Sequence, residues 1–240
     1  MTGIIDLDKP AGISSARAVA RVKRLLPRGT KIGHAGTLDP FATGVLLLLV
    51  GKATKHCERL MGEPKQYEAT IKLGATTATL DPESPEEPFR STGFQPVSPP
   101  FEDEKHGLKT RATVEEVLQR FIGDIRQRPP AFSAMKVSGQ RAYKLARAGE
   151  SVRLEPRIVH VYGIELLDYD WPLLRLRIDC GRGTYVRAIA RDVGEALGVG
   201  GYLTQLRRTR IGSFDASDGV RIEQLEADGL EPHLHALQNP

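Results

Sequence analysis

Apolar and polar positions follow two different spacings along this chain. In residues 67–73 every second side chain is apolar, which is typical of a strand with one buried face. In residues 15–26 the apolar residues recur at helical spacing while arginines occupy the other face. Ser14 or Ser15 is a suitable N-cap for this basic-faced amphipathic helix. Mixed α and β structure is therefore predicted.

The same spacings predict further elements. Residues 46–50 form a buried apolar segment, Gly51 opens a further helix, and Gly123 ends another. The remaining predicted strands are residues 3–7, 157–168, 172–180 and 210–214, and the remaining predicted helices lie at 114–122, before Arg147, and after Gly183. Periodicity by itself supports no more than a mixed fold.

Residues 33–45 carry the most distinctive local chemistry, because three glycines lie within twelve residues on either side of an Asp-Pro pair. Glycine lets the backbone turn where a Cβ would clash, and Pro40 fixes the chain direction after Asp39. A stiff loop that leads into a buried segment is a suitable support for a catalytic acid. The alternative on local chemistry alone is an ordinary Asp-Pro turn.

The pattern Gly-His-x-Gly-x-Leu-Asp-Pro-x-Ala-x-Gly at 33–44 resembles the catalytic motif of the TruB family, the bacterial tRNA pseudouridine-55 synthases. Four further blocks similar to that family follow the same order along the chain and extend the resemblance over roughly residues 3 to 220. They are Lys9-Pro10-Ala11-Gly12-Ile13-Ser14-Ser15, Lys65-Gln66-Tyr67, Pro129-Pro130-Ala131-Phe132-Ser133-Ala134-Met135-Lys136 and Gly183-Thr184-Tyr185-Val186-Arg187.

The resemblance implies one α+β catalytic domain over residues 1–240 with the pseudouridine synthase fold. In that fold a central, mostly antiparallel mixed sheet is flanked by helices and loops around an active-site cleft. Residues 84–109 are rich in Pro, Ser, Glu and Gly, so we predict a flexible insert there. Family members usually carry a C-terminal PUA domain, and we expect it to be absent because about twenty residues follow Val220.

The family implies a catalytic role for three residues. Asp39 is the carboxylate that acts beside the ribose C1′ and the base, either as a nucleophile or by removing a ribose proton. A carboxylate in a site that excludes water needs a fixed cation to stay ionised, and Arg187 is the implied partner because a guanidinium binds both oxygens and stays protonated. Tyr67 is implied to stack on the uracil, although a tyrosine at the start of a strand is more often core.

Further residues are implied to contact the substrate. His34 is expected to contact RNA displaced when the uridine is extruded, and Leu206 resembles the apolar residue packed against the same pocket. Lys9 is expected either to support the catalytic loop or to touch RNA. Lys136 belongs to a block that builds the wall of the RNA cleft. Thr76, Thr77, Thr79 and Asp81 resemble a family Thr-x-Thr-x-Asp element, although the glycine that usually follows is missing.

Charge and composition agree with a polyanionic partner. The net charge is +4 and the pI is about 9.1. The basic residues crowd two segments, for which solvated faces are the alternative to RNA contacts. The early cluster is Arg17, Arg21, Lys23, Arg24 and Arg28, and the late cluster is Arg207, Arg208 and Arg210.

The remaining features set the expected context. The two cysteines have no zinc-site spacing, there is no signal-peptide pattern, and no apolar run approaches the length of a membrane span. We therefore expect a monomeric cytoplasmic enzyme without metal or cofactor that binds the T-arm of tRNA. The alternatives are an RNA-binding or RNA-folding protein without catalysis, and a glycoside hydrolase, for which a second carboxylate is not apparent.

Overall fold

The pattern of apolar positions translates into a mainly β structure with helices between the strands. The computed structural model describes residues 1–89, 110–133, 135–137, 139–150, 152 and 154–236. The strands within these residues are β1 (Gly3–Lys9), β2 (Ile32–Ala35), β3 (Thr43–Val50), β4 (Lys65–Leu73), β5 (Ala75–Thr77), β6 (Glu86–Pro88), β7 (Gly123–Gln127), β8 (Lys136–Val137), β9 (Gln140–Arg141), β10 (Arg157–Asp170), β11 (Leu173–Cys180), β12 (Gly201–Ile211) and β13 (Phe214–Asp215). The helices are α1 (Ser15–Lys23), α2 (Cys57–Gly62), α3 (Arg111–Gln119), α4 (Ala142–Arg147), α5 (Val186–Ala196) and α6 (Ile222–Asp228), with 3-10 helices at Gly51–His56 and Glu231–His233.

Nine of the described strands belong to one sheet, in the order β1-β3-β12-β4-β11-β10-β7, with β2 also paired to β3 and β13 to β12. Strands β1 and β3 are antiparallel, with Ile5 opposite Leu48. Strands β3 and β12 are parallel, with Gly44 opposite Arg208. The predicted mixed, mostly antiparallel central sheet is confirmed.

The chain divides into two compact units. Unit 1 comprises Met1–Glu68, Asp179–Arg182 and Gln205–Pro240. Unit 2 comprises Ala69–Ile178 and Gly183–Thr204. In the part of the chain that the structure describes, no helix is both long and apolar enough to cross a lipid bilayer.

The core of unit 1 covers both faces of β1 and β3. On one face Ile5 and Leu48 pack with residues of α1 and α6, including Val22. On the other face Leu47 and Leu49 pack in a second apolar cluster with α2 and the end of β12. Burial on both faces explains why residues 46–50 are continuously apolar instead of alternating.

Unit 2 packs α3 and α5 among its own strands. Val114, Val117 and Leu118 of α3 are buried, as the helical spacing predicts. The hydroxyl of Thr110 accepts a hydrogen bond from the Thr113 backbone N–H and so caps this helix. The cap lies before Thr113, the residue that the sequence placed near the helix start.

The beginning of the predicted insert is part of the fold. Glu86–Pro88 form β6, which pairs with β5. The Glu86 carboxylate accepts hydrogen bonds from Lys72 and Tyr202 at 2.6 Å each. The prediction of a flexible loop was therefore wrong for the first residues after 84, since these contacts order them. Residues 90–109 of the predicted insert lie outside the described residues.

Other predicted elements were wrong in extent. The last long strand begins at Gly201, whereas the sequence placed its start at Arg210. The helix predicted from Gly51 is a 3-10 turn followed by α2. Strands β2 and β7 were not predicted, because each is short. Strand β7 also begins at Gly123, which was interpreted only as the end of the preceding helix.

Asp6 is a buried carboxyl group in β1. It is 2% exposed, and its Oδ1 has no hydrogen-bond partner among the described residues. Burial, then the negative charges of Asp218, Asp8 and Asp215, raise its pKa from 3.8 to about 7, against the positive charge of Arg208. The folded protein thus holds a proton that the unfolded chain releases between these two pKa values.

We expect a pH-dependent gain in stability from Asp6→Asn. A raised carboxyl pKa makes the free energy of unfolding fall as the pH rises from about 4 to 7, because the native state binds more protons there. The variant lacks this loss, so its Tm should exceed that of the wild type by roughly 10 °C at pH 8 and approach it at pH 4. Thermal unfolding across this range measures both curves, and a constant Tm difference would contradict the expectation.

Candidate active site

The loop between β2 and β3 carries Asp39, which is half-buried. Gly36 has a φ of +92° and Gly44 a φ of +101°, in the left-handed region that favours glycine. A Cβ at Gly44 would lie 2.1 Å from the carbonyl oxygen of Arg208, its partner across the parallel strands. Only glycine fits at that position. The close approach fixes the end of the loop against β12.

Ser15 holds the loop from the side of α1. Ser14 is the N-cap of that helix, because its side chain accepts a hydrogen bond from the Arg17 N–H. The buried Ser15 hydroxyl instead accepts a hydrogen bond from the Leu38 N–H at 2.8 Å and donates to the Leu38 carbonyl at 3.0 Å. These two bonds fix the backbone directly before Asp39.

Lys9 supports the turns next to the loop. Its Nζ donates hydrogen bonds to the carbonyls of Pro10 at 2.7 Å, Ile13 at 2.8 Å and Pro40 at 3.3 Å. The side chain is 0% exposed. The assignment of Lys9 to substrate binding was therefore wrong, since a fully buried ammonium group cannot reach RNA. Of the two expected roles, the structure shows the support of the loop.

Arg208 binds the loop from β12. Its Nε donates to the Val45 carbonyl at 2.8 Å, and its terminal nitrogens donate to the carbonyls of Gly36 at 3.0 Å and Thr37 at 3.4 Å. Arg208 is 1% exposed, so the guanidinium is wholly committed to the interior of unit 1. The planar guanidinium spreads five N–H donors over three nitrogen atoms, so it reaches carbonyls that lie too far apart for the single ammonium nitrogen of a lysine.

The late basic cluster consists of one buried arginine and two partly exposed ones. Beside the buried Arg208, Arg207 forms an ion pair with Asp8 at 3.0 Å. Arg210 forms an ion pair with Asp179 at 3.3 Å. The expectation of an RNA phosphate contact is therefore wrong for the buried Arg208, and it stays a prediction for the partly exposed Arg207 and Arg210.

Tyr67 lies beside Arg208 in unit 1. It is 9% exposed, its ring centre lies 6.0 Å from the Arg208 guanidinium carbon, and its Oη lies 3.5 Å from a terminal nitrogen of that group. Burial is the main cause of a raised Tyr67 pKa, and the negative charge of Asp39 contributes in the same direction. The phenol stays neutral near pH 7.

Leu206 and His34 complete the predicted set in unit 1. Leu206 is 7% exposed and lies two residues before Arg208 in β12, so both side chains point to the same face of the strand. His34 lies in β2 and is half-buried. Burial, followed by the charge of Arg208, lowers the His34 pKa, against an opposing effect of the Gly36 carbonyl. His34 is therefore a neutral imidazole near pH 7.

Arg187 lies in unit 2, in the first turn of α5. It is 4% exposed and forms an ion pair with Asp81 at 3.0 Å, with further hydrogen bonds to the carbonyls of Thr79 and Phe132 at 2.9 Å each. Asp81 also accepts hydrogen bonds from the Thr79 hydroxyl at 2.5 Å and the Glu83 N–H at 3.0 Å. These contacts give the Thr-x-Thr-x-Asp element a definite task, which is to orient Arg187. The pairing of Arg187 with Asp39 stays a prediction.

Lys136 also belongs to unit 2, where it lies in β8 opposite Arg141 of β9. Sequence reasoning missed the roles of Ser15, Arg208 and Asp81. A signal for Arg208 was present, since extending the strand alternation back from residue 210 places it on the same face as Leu206. Among the described residues, no group of three or more His, Cys, Asp or Glu side chains could hold a metal ion.

Comparison with family models assigns the two parts of the chain to one class of enzyme. Residues 23–186 match the TruB family pseudouridylate synthase N-terminal domain, and residues 187–236 match the tRNA pseudouridylate synthase B C-terminal domain. The class is therefore that of the pseudouridylate synthases. The chain belongs to the TruB family, as the sequence motifs predicted.

Similar proteins from bacteria agree with this assignment. A tRNA pseudouridine synthase B of Pseudomonas fluorescens (strain Pf-5) is 44% identical over 227 residues, which cover 95% of this chain and 69% of that protein. The protein of the same name from Phocaeicola vulgatus is 43% identical over 225 residues, or 92% of this chain and 90% of its own length.

Solved structures confirm the predicted pseudouridine synthase fold. A Cbf5-Nop10-Gar1 complex contains a chain that is 29% identical with a TM-score of 0.67. An H/ACA RNP bound to a substrate RNA containing 2′-deoxyuridine contains one that is 27% identical with a TM-score of 0.65. Each match covers 96% of this chain but only 57% and 56%, respectively, of the other, so this chain spans little more than half their length.

Proposed function

We propose that this chain isomerises uridine to pseudouridine at position 55 in the T-loop of tRNA. The observation that carries the proposal is the match of both TruB family models over residues 23–236, a span that includes Asp39, Tyr67, Arg187 and Leu206. The names of the bacterial relatives support tRNA as the substrate. The enzyme acts as a monomer in the cytoplasm and binds the T-arm.

The reaction breaks the N1 glycosidic bond, turns the base and rejoins it through C5, so no atom is gained or lost. It requires a carboxylate beside the ribose C1′ and the base, which attacks as a nucleophile or removes a ribose proton. We assign this role to Asp39. The loop around it supports the assignment, because Ser15, Lys9 and Arg208 all bind its backbone and so hold the segment that carries the carboxylate.

The uracil has to leave the RNA stack to reach Asp39, which costs a few kcal/mol. We propose that Tyr67 offers a ring face to the extruded base and that Leu206 packs against the same base. His34 fills the gap in the RNA, and its neutral state favours hydrogen bonding to a base over attraction to a phosphate. Arg208 is a positioning residue, because it acts on the substrate only through the loop and Tyr67.

Arg187 is proposed as the cation that keeps the catalytic carboxylate ionised. The Asp81 ion pair and the two carbonyl contacts support this role by fixing the plane of the guanidinium. Lys136 is proposed to contact RNA from unit 2. Neither residue needs a metal ion or a cofactor for these tasks.

The products formed from tRNA labelled in its uridines test the proposal. We expect pseudouridine at position 55 of an unmodified tRNA transcript, located by chemical marking of pseudouridine and primer extension. A transcript with cytidine at that position is the matched control and should stay unmodified. Free uracil would identify a glycoside hydrolase, and binding without either product would identify an RNA-binding protein.

A further inference from the structure

A second feature of unit 1 has no role in the chemistry above. It is an open cleft of about 540 Å³, lined by Lys23 at the end of α1, the loop and strand of residues 29–34, and side chains from Leu49, Thr54 and Cys57. We call it the basic cleft, after Lys23 and Lys31 on its wall. His34 also lines it, five residues before Asp39.

The chain around the basic cleft is strongly positive. Residues 17–59 contain nine lysines and arginines but only two acidic residues, Asp39 and Glu58, an excess of seven positive charges in a chain whose net charge is +4. Glu58 is bound by Arg182 at 2.7 Å. In the described part of the chain, neither Lys23 nor Lys31 forms an ion pair, although both side chains are exposed.

Lys23 and Lys31 differ in this respect from Arg207, Arg208 and Arg210 of the same unit, whose guanidinium groups bind carboxylates or backbone carbonyls. Arg21 of α1 is likewise bound by Glu226 at 2.8 Å and by Glu223 at 3.4 Å. The ammonium groups of Lys23 and Lys31 therefore remain available to an anion that enters the basic cleft. Because the His34 pKa is lowered, the lysines supply that charge.

We infer that the basic cleft binds a backbone phosphodiester of the RNA substrate, next to the nucleotide that His34 contacts. The inference rests on the proposed function and adds a contact that holds the RNA strand in register beside the extruded uridine. Each lysine carries its ammonium group on a flexible side chain, so both groups can adjust to a phosphate. A phosphate accepts such charged contacts from several directions. The position beside His34 makes the contact local to the target site.

The test compares Lys23→Gln/Lys31→Gln with Arg120→Gln/Arg175→Gln, which removes two exposed positive charges from unit 2. The substrate is a T-arm hairpin across a series of salt concentrations. We expect the first variant to raise KM about tenfold at low salt and to reduce the slope of log KM against log salt by about one, with kcat at saturation unchanged. The control variant should keep the wild-type slope.

A scan with single methylphosphonates identifies the phosphate, because each removes one negative charge from the hairpin. One position, or two adjacent ones, should weaken binding to the wild type but not to Lys23→Gln/Lys31→Gln. Identical scan profiles and identical salt slopes for the two proteins would overturn the inference. Fluorescence anisotropy of the labelled hairpin gives the same comparison without turnover, so a failure of catalysis would count against the proposed function alone. Equal Tm values would show that the variants fold.

Discussion

Asp39→Asn should reduce pseudouridine formation to below a few per cent of the wild-type rate while the affinity for tRNA stays within about threefold. Asparagine has nearly the size and polarity of aspartate, so the loop contacts of Ser15 and Arg208, which are made to the backbone, are retained. What is lost is the negative charge, which both candidate mechanisms need. Single-turnover assays with excess enzyme separate this loss from weaker binding.

Glu195→Gln is the matched control, since it removes an exposed carboxylate from α5 without touching the loop. It should retain wild-type kcat and KM. Residual turnover of Asp39→Asn above a few per cent would contradict the assignment of the catalytic carboxylate. A large loss of tRNA affinity would instead show that Asp39 contributes mainly to binding.

Arg208→Lys should lower kcat about a hundredfold and change KM little. A lysine cannot donate to Gly36, Thr37 and Val45 together, and each buried carbonyl left without a partner costs about 1–3 kcal/mol. The loop then loses its fixed conformation around Asp39. KM should change little because the side chain is 1% exposed and cannot touch RNA directly.

Arg207→Lys is the neighbouring control, because Arg207 is partly exposed and its ion pair with Asp8 tolerates a lysine. It should behave like the wild type. Both variants are assayed well below their Tm, so that the fraction unfolded does not enter kcat. A wild-type kcat for Arg208→Lys under these conditions would show that Arg208 serves stability alone.

The elements that sequence predicted best are those whose pattern is local. The alternation of residues 67–73 and the apolar run 46–50 correspond to β4 and β3, and Ser14 caps α1. The Asp39 loop was also recognisable, because glycine and proline impose their backbone preferences on their immediate neighbours. The family motifs then gave the fold and the class of enzyme.

The contacts that hold the site depend on residues far apart in the chain. Arg208 and Gly36 are separated by 172 positions, and Arg187 and Asp81 by 106. The strand alternation places Arg208 on the same face as Leu206, but it does not show which backbone carbonyls the guanidinium will bind. Sequence therefore grouped Arg208 with two surface arginines, and only the three-dimensional structure separates it from them.

Because other residues of the protein already hold the Asp39 loop, the loop determines whether the protein or the RNA changes conformation on binding. Because Ser15, Lys9 and Arg208 already hold its backbone, the loop has little conformational entropy left to lose when RNA arrives. At this loop the rearrangement then falls on the RNA, where the target uridine must unstack. We therefore expect the enzyme to prefer RNA loops in which that uridine is already poorly stacked. A rigid loop in the protein thus makes the stacking of the target uridine a determinant of substrate preference.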